Sequence, residues 1–182
     1  NDTNTSGSRV HPVVDYNYIW GAPIAGGELS FNGHARSMSR RSVETDPGTD
    51  TTHAVAEVSW RRKFVDAVGQ LWTPFAHARG DVYGYQNARN PDNVALAQAD
   101  DTVTRGFGAV GMNYSYPLVA HTGTASHILE PTAQIIARPN QVDQRRLPNE
   151  DAKSINYHDT LLFDIDKFSG WDRQEGGGRA NV

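Results

Sequence analysis

The run Val10-His11-Pro12-Val13-Val14-Asp15-Tyr16-Asn17-Tyr18-Ile19-Trp20 decides the fold. Val10, Pro12, Val14, Tyr16, Tyr18 and Trp20 recur at every second position and share one face. His11, Asp15 and Asn17 fall on the other, with Val13 and Ile19 as exceptions. Period two marks a β-strand, because successive side chains point to opposite faces. The run is also about twice the ~5–6 residues usual in soluble sheets. Gly21 to Gly27 then reads as a short turn.

The pattern repeats along the chain. A second strand spans about Glu28 to Arg40, with Leu29, Phe31, Gly33 and Ala35 opposite Ser30, Asn32, His34 and Arg36. A third places Ala54, Ala56, Val58 and Trp60 opposite His53, Glu57, Ser59 and Arg61. A fourth sets Trp72, Pro74, Ala76, Ala78 and Val82 against His77, Arg79 and Asp81. Pro74 has no N–H for a ladder, so a bulge or break is expected there. After a long loop from Gly84 to Asp101, a fifth strand carries Val110, Met112 and Tyr114 against Arg105 and Asn113. A tight turn at His121 to Thr124 leads to a sixth, with Leu129, Pro131, Ala133 and Ile135 opposite Glu130, Thr132 and Gln134.

The connections alternate short and long, ending with a very long one over residues 140–178. Antiparallel membrane barrels sort their connections this way, with short periplasmic turns and long outer loops, and their strands need only ~9–11 residues to cross. The expected architecture is therefore all-β: an antiparallel transmembrane β-barrel segment of about six long meander strands plus a strand stub, short of a closed barrel. The whole of 1–182 reads as one partial barrel domain, a middle slice of a larger chain, because Asn1 is no initiator and Arg179-Ala-Asn-Val182 looks like a strand just beginning. Tyr16, Tyr18, Trp20, Trp60, Trp72, Tyr114 and Tyr116 on the apolar faces suit an interfacial aromatic girdle. The competing architecture is a soluble secreted β-sandwich that binds glycan through the long tail loop; another is a porin-like or hydrolase barrel.

Composition narrows the function. Lys and Arg number 17 against 21 Asp and Glu, a net charge of −4, so no basic excess points to nucleic acid. The absence of Cys excludes disulfides, zinc thiolate sites and a Cys nucleophile. No catalytic residue, metal or cofactor is expected. His127 and Glu130 lie three apart on a strand and so point to opposite faces, which rules out a shared metal. The run from Asp164 to Gly170 starts like a calcium loop but lacks an oxygen ligand at the fifth position and a Gly at the sixth. No Gly-x-Ser-x-Gly elbow is present, and none of the seven His adjoins an obvious Ser-plus-acid set. In a barrel Arg36, Glu57, Arg61, Arg79, Asp81 and Arg105 would line the lumen, because a lipid-facing charge at mid-bilayer costs about 2–4 kcal/mol.

The tail carries the specific signal. Its order is His127-Ile-Leu-Glu130-Pro131 with Gln134, then Pro148-Asn149-Glu150-Asp151, then Leu162-Phe163, then Phe168-Ser169-Gly170-x-Asp172-Arg173-x-Glu175, ending at Arg179. This combination resembles the outer-membrane lipopolysaccharide-assembly family (LptD, organic-solvent-tolerance family). The resemblance implies the cell outer membrane of a Gram-negative bacterium and insertion of lipopolysaccharide into its outer leaflet. It implies outer-membrane lipid, a plug lipoprotein and, through a jellyroll domain outside this chain, a periplasmic lipopolysaccharide bridge as partners. It brings no catalytic residue, since the family is a translocon. The tail is expected to act as a lid, with Glu150, Asp151, Asp172, Arg173, Glu175 and Arg179 ion-paired over or inside the lumen.

Overall fold

The computed structural model describes residues 8–40, 50–89, 98–140, 159–168 and 170–182. Ten strands appear among them: β1 (Ser8–Ile19), β2 (Glu28–Arg40), β3 (Asp50–Arg61), β4 (Phe64–Val65), β5 (Leu71–Arg89), β6 (Gln98–Ser115), β7 (Leu118–Thr122), β8 (Ala125–Leu129), β9 (Thr132–Ala137) and β10 (Arg179–Asn181). A 3-10 turn (Asp159–Phe163) precedes β10. One antiparallel sheet runs β1-β2-β3-β5-β6-β9-β10, with β4 paired to β5. Among the described residues β1 and β10 are not paired, so the sheet is open and no closed barrel forms. Nor do they form two stacked sheets, as a sandwich would; β7 and β8 make only a separate hairpin.

Strand length follows the alternation. β5 has 19 residues and β6 has 18, both longer than expected. The loop anticipated over Gly84 to Asp101 is mostly ladder: β5 continues to Arg89 and β6 starts at Gln98, past a register shift between Tyr85 and Ala88. Tyr83 and Tyr85 supply the apolar, covered positions that carry the strand on.

Prolines cause the other departures. The register of β1 against β2 slips between His11 and Val13, so Pro12 is the bulged residue. It cannot donate to the ladder, and one extra residue inverts the facing of everything before it. Val10 pairs with Met38 and Val13 with Arg36, and all four line a groove with His34 and Trp171. Val10 therefore lies opposite the face of Val14 and Tyr16 to which alternation assigned it. Pro74 is accommodated without a bulge, paired with Met112. Its carbonyl accepts from the Arg62 N–H at 3.1 Å, so its nitrogen faces the gap between β3 and β4, where no ladder donor is required.

The expected sixth strand is broken. Pro117 and Pro131 interrupt the ladder, leaving β9 with six residues and the β7–β8 hairpin to itself. Tyr116 N–H still donates to the Pro131 carbonyl across the break at 3.1 Å. Glu130 and Pro131 are consequently exposed and outside any strand.

The two faces of the main sheet differ. Val14, Tyr16, Tyr18, Val58, Val82, Val110 and Ile135 are exposed on one. The other packs Phe75, Phe107, Ala109 and Ile136 together, with Ile165 from the tail against them. Gly111 belongs to this layer. A Cβ there would strike the Phe75 ring and come within 2.5 Å of the Ile135 carbonyl, so the position admits only glycine without a shift.

Candidate functional site

The covered face is built by strand register. Opposite β-residues share a face, and the register places His34 beside Val55, Asp81 and Arg105, with Arg36, His53 and Tyr83 in the next row. Arg79 and Asp81 are two apart on β5 and so point the same way. Asp81 is the hub. Its Oδ1 accepts from Arg105 Nε at 2.8 Å, and its Oδ2 from Arg105 Nη2 at 2.8 Å, Arg79 Nη2 at 2.8 Å and Gln174 Nε2 at 3.3 Å. The Arg105 contact is bidentate, the geometry that suits a planar guanidinium to a carboxylate. Arg79 and Asp81 are both buried.

The tail lies on this cluster. Arg105 donates from Nη1 to the Asp172 carbonyl at 2.8 Å and from Nη2 to the Trp171 carbonyl at 2.9 Å. Arg79 also donates to the Trp171 carbonyl, and its Cζ stands 4.9 Å from the centroid of that indole. His34 stacks on Trp171 with ring centroids 5.6 Å apart. The Asp172 carboxylate is fully buried; it accepts from Arg36 Nη2 at 3.3 Å and stands 3.8 Å from His53 Nδ1.

A second cluster fixes the other end of the segment. Arg138 reaches Glu175 at 2.8 Å, the Ile165 carbonyl at 2.7 Å and the Gly177 carbonyl at 3.2 Å. Arg179 reaches Glu175 at 2.7 Å, Gln134 Oε1 at 3.3 Å and the Asp164 carbonyl. Buried Gln134 donates to the Phe163 carbonyl at 2.5 Å and accepts from Asn181 at 3.0 Å. Burial raises the Glu175 carboxyl, but Arg138, through hydrogen bond and charge, with Arg179 and Lys167, more than offsets it, so Glu175 sits below the ordinary carboxylate range. Burial pushes Asp166 the other way, against hydrogen bonds from the Phe168 and Glu175 amides.

These contacts share one chemistry. The segment has no regular ladder to satisfy its carbonyls, and Arg, Gln and Asn side chains from the sheet donate to them instead. An irregular backbone can lie against a sheet in a water-poor place only if its polar groups are met in this way.

The candidate residues divide accordingly. Arg36, Arg79, Asp81, Arg105, Gln134, Asp172, Glu175 and Arg179 meet in these two clusters. Arg173 donates to the Asp172 carbonyl at 3.2 Å, Phe168 N–H binds Asp166, and Gly170 lines the groove beside Trp171. Glu57 sits on the same face beside His77. Arg61 is apart, exposed at the strand end and paired with Glu28 at 2.8 Å. Pro148, Asn149, Glu150, Asp151 and Ser169 lie outside the described residues. Sequence reading missed Arg138, Trp171 and Gln174, and placed His53 on the charged face without giving it a role. Arg138 had a usable signal, since it continues the alternation of Gln134 and Ile136.

One expectation needs correcting. Ser59, His77 and Glu57 do come together: Ser59 Oγ lies 2.8 Å from His77 Nδ1, and His77 Nε2 lies 3.7 Å from Glu57. The contact is made by register, not by sequence adjacency, because Ser59 and His77 are ladder partners. The set is no hydrolase triad. The acid is beyond hydrogen-bond reach of the imidazole, and the strand amides around Ser59 are committed to the ladder rather than to an oxyanion. Among the described residues no group of His, Asp and Glu could hold a metal ion.

A family model described as LPS transport system D (LptD) matches residues 1–182. The chain belongs to the LptD family. Membership implies lipopolysaccharide transport and the outer membrane, and the family is one of transport proteins rather than of enzymes. No curated protein matches the chain. The clusters around Asp81 and Glu175 are thus features of an all-β LptD-family chain, and their meaning has to be sought in transport.

Proposed function

We propose that this LptD-family chain forms part of the wall of an outer-membrane barrel that inserts lipopolysaccharide into the outer leaflet, and that residues 159–178 are a lid held on its polar, lumen-facing side. The attachment of the Trp171–Asp172 backbone and the Asp172 carboxylate to Arg36, Arg79 and Arg105 carries this reading. Strands of 12–19 residues exceed the ~9–11 needed to cross a bilayer. The exposed apolar face fits contact with outer-membrane lipid, and the charged face a polar interior. On this reading the open β1 and β10 edges pair with further strands of a larger barrel, of which residues 1–182 are a slice. Lipopolysaccharide is the cargo, and the plug lipoprotein and periplasmic bridge of the translocon are the partners.

The protein should require detergent to stay in solution and should migrate faster on a gel when unheated than when boiled. Cells depleted of it should lose surface lipopolysaccharide. A water-soluble monomer with no heat-modifiable band would sink the proposal; a heat-modifiable protein whose loss changes solute conductance but not surface lipopolysaccharide would favour the porin-like reading.

A further inference from the structure

At the short-turn rim the β1–β2 turn folds against the end of β3. Trp60 Nε1 donates to the Ile24 carbonyl at 2.8 Å, and Ile24 and Gly27 exchange backbone hydrogen bonds at 2.8 and 3.0 Å. The turn is tightly seated: a Cβ on Gly27 would fall 2.6 Å from both the Arg61 carbonyl and the Trp60 indole, and Ala25 and Gly26 take positive φ to close it. Between this turn and the break after β3 lies a groove of about 640 Å³. Trp20, Glu28, Arg61, Arg62 and Lys63 line it.

The charge balance of the groove is one-sided. Three consecutive cations face it against one carboxylate, and Glu28 is already committed to Arg61 at 2.8 Å. Among the described residues no carboxylate lies within ion-pair reach of Arg62 or Lys63. The Arg62 guanidinium is packed over Gly26, which fixes its direction. Trp20 and Trp60 stand at the same level, and indoles settle at the boundary between hydrocarbon and headgroups. Cations placed just beyond such a belt meet lipid phosphates and are attracted to an anionic surface.

We propose that this rim groove binds the phosphate of an anionic phospholipid headgroup, with Arg62 and Lys63 as the phosphate ligands and Trp20 against the glycerol and upper acyl chain. The inference rests on the barrel reading above. The groove lies at the end opposite the long connections, so the leaflet it meets is not the one that receives lipopolysaccharide; phospholipid is therefore the occupant.

The test uses the full chain, folded in detergent and reconstituted into nanodiscs of equimolar phosphatidylglycerol and phosphatidylcholine. Lipid retained after re-extraction is read by native mass spectrometry. Phosphatidylglycerol should be retained in preference, and the pair Arg62→Gln with Lys63→Gln should lower that preference by about tenfold or more, given the strength of a cation near a lipid surface. Glu28→Gln should raise it. Soluble glycerol phosphate should compete only at far higher concentration. Equal retention of the two lipids by a heat-modifiable protein would overturn the headgroup site alone, as would preferential capture of added lipopolysaccharide or full competition by glycerol phosphate. Failure to retain any lipid, with no heat-modifiable band, would overturn the barrel reading and this site with it.

Discussion

Asp81→Ala is expected to lower the unfolding free energy by about 3–5 kcal/mol, the usual consequence of removing one partner from a buried ion pair. Asp81 is fully buried and holds both oxygens against Arg79 and Arg105, with Gln174 from the tail as a fourth donor. Truncation removes the carboxylate that the two buried guanidiniums share. They keep the Trp171 and Asp172 carbonyls, but a neutral carbonyl cannot replace a carboxylate. Asp81→Asn should fall between wild type and Asp81→Ala, because it keeps one accepting oxygen while losing the charge and turning the other oxygen into an NH2 donor. The check is the denaturant midpoint of the detergent-folded protein. A loss below about 1 kcal/mol, the scale of an exposed pair, would mean that Asp81 is open to water.

Arg138→Met is expected to cost about 3 kcal/mol and to change the response to acid. Arg138 is buried and serves Glu175 and the carbonyls of Ile165 and Gly177; methionine fills comparable volume but donates nothing. Glu175 keeps its ion pair with Arg179 and the nearby Lys167 charge but loses its hydrogen bond from Arg138. Because its carboxyl is held below the ordinary range in the folded chain, its stabilisation is fully present above the unfolded value of about 4.3 and is lost as pH falls through the lower folded value. Wild type should therefore lose stability on acidification below that point, and Arg138→Met should lose less. Asp166 works in the opposite sense, since burial raises it and acid relieves its charge, so both proteins are best compared with Asp166→Asn in the background. Melting curves at neutral and acid pH measure the difference. Equal acid sensitivity with and without Arg138 would contradict the assigned pairing.

Much of the sheet was legible. β2 runs from Glu28 to Arg40 as alternation indicates, and the parity of His53, Glu57, Arg79, Asp81 and Arg105 places all five on one face. Alternation fails where a residue breaks the count. Pro12 inverts Val10 and His11, and Pro117 with Pro131 cut off a hairpin. Pro74 makes no bulge against β6, and the expected break falls on its other side, where β3 gives way to β4 opposite its nitrogen; which side that is depends on a neighbour that sequence does not reveal. The site was half legible. Parity identifies the charged face, and the tail residues carry their own signature. Which tail residue meets which arginine depends on contacts across 66 to 136 positions of sequence, such as Arg36 with Asp172 and Arg105 with Trp171. The contact between Ser59 and His77 likewise required the register.

In the proposed lid the tail segment seals the polar face, and the Asp172 carboxylate holds it there through Arg36. Asp172→Arg places a cation against Arg36 and should release the segment while the strands persist. The measurement is uptake of a large hydrophilic antibiotic by cells whose sole copy of the protein carries this change, with the heat-modifiable band as proof of folding. The lid reading predicts a marked rise in uptake over wild type. Unchanged uptake by a folded, heat-modifiable Asp172→Arg protein would contradict it.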